Sequence, residues 1–397
     1  MEVKSFISLD EAIRKGIKHK PKLTTKNVSV LDAVGKYSAR DILSGSDYPA
    51  FDRSAVDGYA VRSDETISSS KTNPSTFIIV GTVYPSTSEV LKVGKGEAIK
   101  IMTGSKIPKG ADSVVMLEDA KDDGETLGVF VPVRKFQNVS RKGEDIKSGF
   151  RIIGKGKRVT PPHVAALLEC GITKLNVVSV SIGILSTGDE LVSGEVKNST
   201  QPMLQSFLRS KGFEVSLYGV ARDDEDEIER ALEKVREGIV IVTGGTGPGE
   251  KDVMPSVIER NGKVEFRGVR IRPGRTTSFG IFRGKPIFLV SGLPVAALIS
   301  TENLIIRLIS KWFGLADLEK EYRTGILARS VVNTLGFKSF VRVKVMEERN
   351  GRRIYPTRVT GSGVIYSIID ADGILVLDEN SEGIEEGNTV SYEVLRW

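Results

Sequence analysis

The spacing of apolar residues changes its rhythm several times along the chain. From Val178 to Gly314, short apolar runs alternate with segments of helical period: VSVSIGILS, PMLQSFLRSKG, EVSLYGVA, DEDEIERALEKVREG, IVIVTGG. Ile228, Ala231, Leu232 and Val235 share one face at a period of about 3.6 residues, so the stretch predicts strands alternating with helices in a parallel α/β sheet. At the N-terminus, FISLDEAIRKGI predicts an amphipathic helix with Ser8 as its cap and Glu11 closing a capping box. VSVLDAVGKYSARDIL continues in the same helical style. From Asp47 to Val139, β-rich pieces such as TFIIVGTVY and SVVMLED alternate with Gly, Pro and Ser turns and predict an all-β insert. The stretch around GEDIKSGFRIIGKGKRVTPPHVAALLECG returns to a short strand and a helix opened by Pro161 and Pro162. After Lys320, FVRVKVMEE, RIYPTRV, GILVLDE and NTVSYEVL are separated by NG, DG and EGN turns and predict a small β-barrel or sheet.

These patterns predict a multidomain α/β plus β protein. Residues 1–46 and 140–174 form a discontinuous helical/β linker domain, 47–139 a β-rich insert domain, 175–319 a parallel α/β domain, and 320–397 a C-terminal β-barrel domain. Length agrees: 397 residues, at about 150 per domain, leave room for two to four. One cysteine, Cys170, excludes an internal disulfide and a thiolate-rich metal centre. With only His19 and His163, a multi-histidine metal site and a Ser-His-Asp triad lose support, and any metal should be a hard cation held by carboxylates, which points to magnesium. The net charge of +6 is interleaved with acids, which favours small anionic ligands over nucleic acid. PIFLVSGLPVAALIST is broken by Gly292 and Pro294 and is too short for a membrane span, and the N-terminus has no long apolar core. A cytoplasmic protein with no membrane partner is the expectation.

In an open α/β sheet, ligands sit outside the carboxyl ends of the strands. Asp189 and Glu190 follow one predicted strand, Asp223 and Asp224 the next, and Asp252 a third. Converging carboxylates suit magnesium bridging phosphates; alternatively each acid caps the helix behind it. For Asp223 and Asp224 the two readings weigh equally, and for Glu190 and Asp252 the functional one leads. The run Gly244-Gly245-Thr246-Gly247-Pro248-Gly249 lets backbone N–H groups approach an anion but matches neither the phosphate loop nor the dinucleotide fingerprint. Arg272 and Arg275 of RPGR offer two guanidinium forks for an oxyanion. In the insert, Asp52, Ser54, Asp57, Tyr59, Thr103, Gly104 and Asp112 read by themselves as turn formers. His163, behind the proline pair, reads as structural.

The segments SAVDGYAV, IMTGSKIPKGADSVVMLED, GEDIKSGFRIIGKGKRV, LSTGDELV, GGTGPGEKD and RPGR occur in the order of the molybdopterin molybdenumtransferase family, known as MoeA and as the E domain of gephyrin, and the chain resembles a divergent member. The resemblance implies an elongated homodimer with a MogA-like α/β domain. It implies insertion of molybdate or tungstate into adenylylated molybdopterin, with magnesium-dependent release of AMP, and a MogA/MoaB-like adenylyltransferase as a partner. By position it makes Asp57, Thr103, Glu190 and Asp252 catalytic, the first two reaching a partner subunit's cleft. Glu190, Asp223 and Asp252 would hold Mg2+. Asp145, Thr187, Asp223, Gly245, Gly247, Arg272 and Arg275 would bind substrate, as would Ser291, Pro294, Arg342 and Ser362. Three segments depart from the family. Val290-Ser291-Gly292-Leu293-Pro294 stands where the family reads LPGNP, Asn198-Ser199-Thr200 stands for DSN, and GGTGPGEKD for GGVSVGEKD. The GGTG run is similar to MogA and keeps a molybdopterin adenylyltransferase as an alternative; the altered LPGNP keeps a non-catalytic pterin-binding scaffold.

Overall fold

The computed structural model describes residues 6–87, 91–245, 253–316, 320–349, 351–358 and 361–395. They fall in two compact units, 41–153 with 162–173, and the remainder of the chain.

In the first unit the described strands order as Ser113–Met116, Gly58–Val61, Glu97–Ile101, Ser75–Val83, Thr126–Val129 and Ala120–Asp122. Side chains alternate faces, so Tyr59 and Val61 enter one apolar cluster and Ala60 the other. This unit is wider than the 47–139 read from the sequence. Ile42–Leu43 pairs antiparallel with Arg151–Ile153, and the Ser44 hydroxyl lies 3.3 Å from Cys170 Sγ, which keeps both flanks of the insert with it.

In the other unit the N-terminal helix Leu9–Gly16 forms as predicted, with Ser8 Oγ accepting the Glu11 N–H at 3.1 Å. The helical style expected after it does not continue. Thr24–Ser29 is a strand paired with Lys174–Ser179, because β-branched Val28 fits a pleat and Gly35 turns the chain at φ +82°. VSVSIGILS, expected as one strand, is divided at Val180: Lys174–Ser179 stays in that small sheet, and the next strand enters the α/β domain.

The α/β domain runs β1 Ser181–Thr187, α1 Asp189–Val192, α2 Thr200–Ser210, β2 Glu214–Ala221, α3 Glu225–Glu233, β3 Ile239–Thr243, α4 Met254–Asn261, β4 Gly262–Arg267, β5 Ser278–Phe282, β6 Lys285–Val290, α5 Pro294–Ser300 and α6 Ile306–Phe313. The described strands order β2-β1-β3-β6-β5-β4. The first four are parallel, while β5 and β4 extend the sheet antiparallel, so it is mixed rather than wholly parallel. The central strands are buried on both faces, as their unbroken Val and Ile runs require. A π turn, Thr301–Ile305, joins α5 to α6, and Trp312 of α6 donates to Gly16 O at 3.2 Å, seating the N-terminal helix.

The C-terminal strands are β7 Tyr322–Leu327, β8 Lys338–Glu348, β9 Gly351–Arg358, β10 Gly373–Leu377 and β11 Thr389–Val394. β8 pairs with β9 and β10, β9 with β7, β7 with β11, and β11 with β10. The ring closes on Val341, Val343, Ile354, Leu375 and Val390, so of the barrel or sheet expected from the alternation the closed barrel forms, and these five strands have no open edge.

Candidate functional site

The chain leaves β1 toward β2 and returns to the other side of β1 for β3, a reversal that opens a crevice at the carboxyl ends of the strands. The ends of β1, β3 and β6 meet there. Gly244 N–H donates to Val290 O at 3.1 Å, and a Cβ on Gly292 would lie 3.6 Å from Gly244 Cα. Gly244 itself sits at φ +94°, where a Cβ would stand 2.2 Å from Thr187 O, so only glycine fits between β1 and β3. Gly245 follows at φ +58°, its Cβ position 2.9 Å from Thr187 Oγ1. Thr187 is buried, and its Oγ1 has no hydrogen-bond partner among the described residues. Such a group costs about 1–3 kcal/mol.

Acids rim the β1 and β2 side. Glu190 is exposed in the first turn of α1, and its carboxylate folds back over Gly188, whose Cβ position lies 2.7 Å from Oε1. Asp189 Oδ1 accepts the Asp223 N–H at 3.3 Å, which draws the two strand ends together. Asp224 caps α3, accepting the Glu227 N–H at 2.9 Å, whereas Asp223 stands half-buried before it. The capping reading therefore applies to Asp224 and leaves Asp223 to the crevice. Asp252, Gly247 and the rest of 246–252 lie outside the described residues. Among the described residues no group of three or more His, Cys, Asp or Glu is gathered as a metal cluster.

The Asn198-Ser199-Thr200 segment, visible in sequence only as a departure, ties the crevice together. Asn198 Nδ2 donates to Ser186 Oγ at 3.0 Å, and Ser186 and Thr243 share a hydrogen bond of 2.8 Å between β1 and β3. Gln201 Nε2 donates to Ile184 O and Gly219 O at 3.0 and 2.9 Å, and Thr200 Oγ1 to Gly292 O at 2.5 Å. Four strand ends are thereby fixed by one polar helix start.

On the β6 side, Ser291 Oγ accepts the Leu293 N–H at 3.1 Å, and buried Pro294 opens α5. Leu293 is 51% exposed and caps nothing with its side chain. The cap comes from the barrel instead: the N–H groups of Val295 and Ala296 donate to Ser362 O at 3.0 and 3.3 Å. Ser291, Pro294 and Ser362 are thus brought together, Ser362 through its carbonyl. Arg272 lies beside β8, with Nη1 2.5 Å from Thr334 Oγ1 and its guanidinium 4.5 Å from the Phe337 ring centre. Burial, and then the neighbouring charge of Arg275, push its pKa below the usual arginine value. The intervening Gly274, at φ +111°, sets this loop on α5; a Cβ there would meet Ser300 Oγ at 2.2 Å.

Arg342 corrects the sequence reading. Its side chain is wholly buried in the barrel, with Nε 3.3 Å from Ser367 Oγ and Nη1 3.3 Å from Phe340 O. A guanidinium so placed does not line an open cleft; it holds the Ser367 turn. Ser367 was missed because a serine in YSII carries no local sign of a partner on a distant strand.

Asp57, Thr103 and Asp145 belong to the other unit. Thr103 donates both its N–H and its hydroxyl to Asp57 Oδ1, each at 2.7 Å. These bonds, the backbone one foremost, hold the carboxyl below the usual aspartate range. Both residues are exposed, unlike true turn formers nearby such as Asp112, which accepts the Ser63 N–H and hydroxyl at 2.8 and 3.0 Å. Asp145 is exposed, its N–H 3.3 Å from Tyr48 O.

Three family models match in chain order: the MoeA N-terminal region (domain I and II) over 7–171, a probable molybdopterin binding domain over 183–311, and the MoeA C-terminal region (domain IV) over 324–395. A protein of Methanocaldococcus jannaschii named for molybdopterin biosynthesis is 35% identical across 94% of this chain and 92% of its own length. The chain belongs to the MoeA family. Among MoeA relatives, a Staphylococcus aureus molybdopterin molybdenumtransferase is 29% identical across 98% of this chain and 96% of its own. The crystal structure of a MoeA protein from Pyrococcus horikoshii matches with a TM-score of 0.81 at 30% identity, covering 99% of this chain and 100% of that one. The MoeA fold therefore accounts for the α/β domain, the β insert and the closed barrel together. Among the described residues no helix is long and apolar enough to cross a membrane.

Proposed function

We propose that this MoeA-family chain is a molybdopterin molybdenumtransferase of molybdenum cofactor biosynthesis, inserting molybdate or tungstate into adenylylated molybdopterin with magnesium-dependent release of AMP. The observation that carries the reading is the crevice where three strand ends meet over the Thr187 hydroxyl, which has no partner among the described residues, with acids after β1 and β2 and two arginines flanking Gly274, which packs on α5. Glycine backbone at 244 and 245 admits a phosphate closely. Thr187 Oγ1 would bond a substrate oxygen. Arg272 and Arg275 repel one another, so a tetrahedral dianion between them relieves that repulsion while engaging both forks.

The donor set suits magnesium, which takes one or two carboxylates and completes its shell with water and phosphate oxygens. Glu190, Asp223 and, by sequence, Asp252 would hold it, and bound there it would neutralise charge on the pyrophosphate. Asp57, kept anionic by Thr103, would orient the attacking oxygen. In this reading it acts from a partner subunit of a homodimer, and a MogA/MoaB-like adenylyltransferase supplies the adenylylated pterin in the cytoplasm.

The test mixes purified protein with adenylylated molybdopterin, molybdate and magnesium. AMP is expected to appear, and Glu190→Gln to slow it by about 100-fold; AMP release indifferent to Glu190 overturns the assignment. The exposed Leu293 at the altered LPGNP segment favours one second reading, a non-catalytic scaffold, which tight pterin binding without turnover would select.

A further inference from the structure

A cavity of about 550 Å³ lies against α6, the π turn, the N-terminal helix and the barrel strands, and shares no residue with the strand-end crevice. Its chemistry is uneven. Arg307 and Lys311 stand one turn apart on α6, and Lys338 opens β8; none of the three has an ion pair or hydrogen bond from its side chain to the described residues. Beneath them Leu9, Ile306, Phe340 and Val376 make an apolar floor, with Phe340 and Val376 paired across β8 and β10.

The inner wall carries charges that are already compensated. The π turn Thr301–Ile305 adds a residue to one helical turn and places Glu302 and Asn303 on the wall, a device found at functional sites. Lys320 Nζ donates to Asn303 Oδ1 at 2.7 Å and to Glu393 Oε2 at 2.6 Å, and Glu302 faces Lys211 at 3.7 Å. The two wall acids therefore have their own cations, and among the described residues Arg307, Lys311 and Lys338 have no acid partner. Three cations without an acid partner among the described residues, set around an apolar floor, are complementary to an anionic group carried on an apolar body.

We propose that this cavity is a second ligand site, which takes a small organic anion of the aryl phosphate class: the anion on Arg307, Lys311 and Lys338, the ring on Leu9, Ile306 and Phe340. The site is independent of the proposed transferase chemistry. Calorimetric titration of the full chain with phenyl phosphate tests it, with inorganic phosphate and phenol as the separate halves of the ligand. Phenyl phosphate is expected to bind one site per chain at least 10-fold more tightly than either half, because both surfaces contribute. Lys311→Gln with Lys338→Gln, at positions outside the core, should weaken binding at least 10-fold, while Lys121→Gln in the other unit leaves it unchanged. AMP release without phenyl phosphate should be unaltered in both the double variant and Lys121→Gln. No binding, equal binding by inorganic phosphate, or unchanged binding in the double variant overturns the proposal. So does loss in Arg272→Gln with retention in the double variant, since that outcome assigns the ligand to the strand-end crevice.

Discussion

At the scale of single residues, the Asp57 and Thr103 pair gives a pH dependence whose sign follows from its bonds. Both Thr103 donors meet the same carboxylate oxygen, and hydrogen bonds to the charged form lower a carboxyl pKa. Thr103→Val removes one of them, so the Asp57 pKa should rise toward the ordinary aspartate value, read by NMR titration, and the acid limb of AMP release should move to higher pH with it. Thr187 gives a different signature. Its hydroxyl is buried and has no partner among the described residues, so Thr187→Val exchanges a costly group for a methyl of the same shape. Thermal stability should hold or rise, by up to about 1–3 kcal/mol, while KM for the adenylylated pterin increases; an unchanged KM would remove Thr187 from the substrate contacts. Neither position's special status is visible locally: a threonine after an apolar run reads the same whether or not its hydroxyl finds a partner.

At the scale of elements, the crevice depends on backbone approach. Gly244→Ala places a methyl 2.2 Å from Thr187 O at φ +94°, and the strain alone costs about 1–3 kcal/mol. A melting temperature lowered by several degrees and lost AMP release are expected together. Asn198→Ala cuts the tie to Ser186 and the donor shared with Gln201, worth about 1–3 kcal/mol where partners stay buried; urea denaturation reads that loss. Elements with strong local signals were legible. The Ser8 and Glu11 positions announced the first helix, and the face of Ile228, Leu232 and Val235 announced α3. The stretch after Val28 was not, because helical spacing of its apolar residues competed with a β-branched strand whose partner, Lys174–Ser179, lies far along the chain. The break at Val180 was hidden for the same reason: an apolar run does not say which of two sheets receives each half.

Across the molecule, Lys320 joins the π turn of the α/β domain to strand β11 of the barrel. Burial pushes the Glu393 carboxyl up, and Lys320 opposes that rise. Lys320→Met leaves the acid without its cation, so its folded pKa climbs further above the unfolded value. A carboxyl with a raised folded pKa holds its proton better in the folded state, so the penalty is absent below the ordinary value of 4.5 and grows as pH rises through the folded one. Denaturation should show a loss of about 3–5 kcal/mol at neutral pH and little in acid; equal loss at both would show that Glu393 titration is not the cause. The sequence by itself determined the family, the order of strand-helix alternation and barrel, and the residue types at the crevice. Periodicity, caps and turns act between near neighbours, and motif residues keep their order. Only the tertiary structure decided that Asp224 and not Asp223 caps α3, that Arg342 is buried, that Ser362 caps α5 through its carbonyl, and that three strand ends converge on Thr187. Each of those outcomes rests on a partner distant in sequence, and burial and hydrogen bonding are settled only when such partners meet.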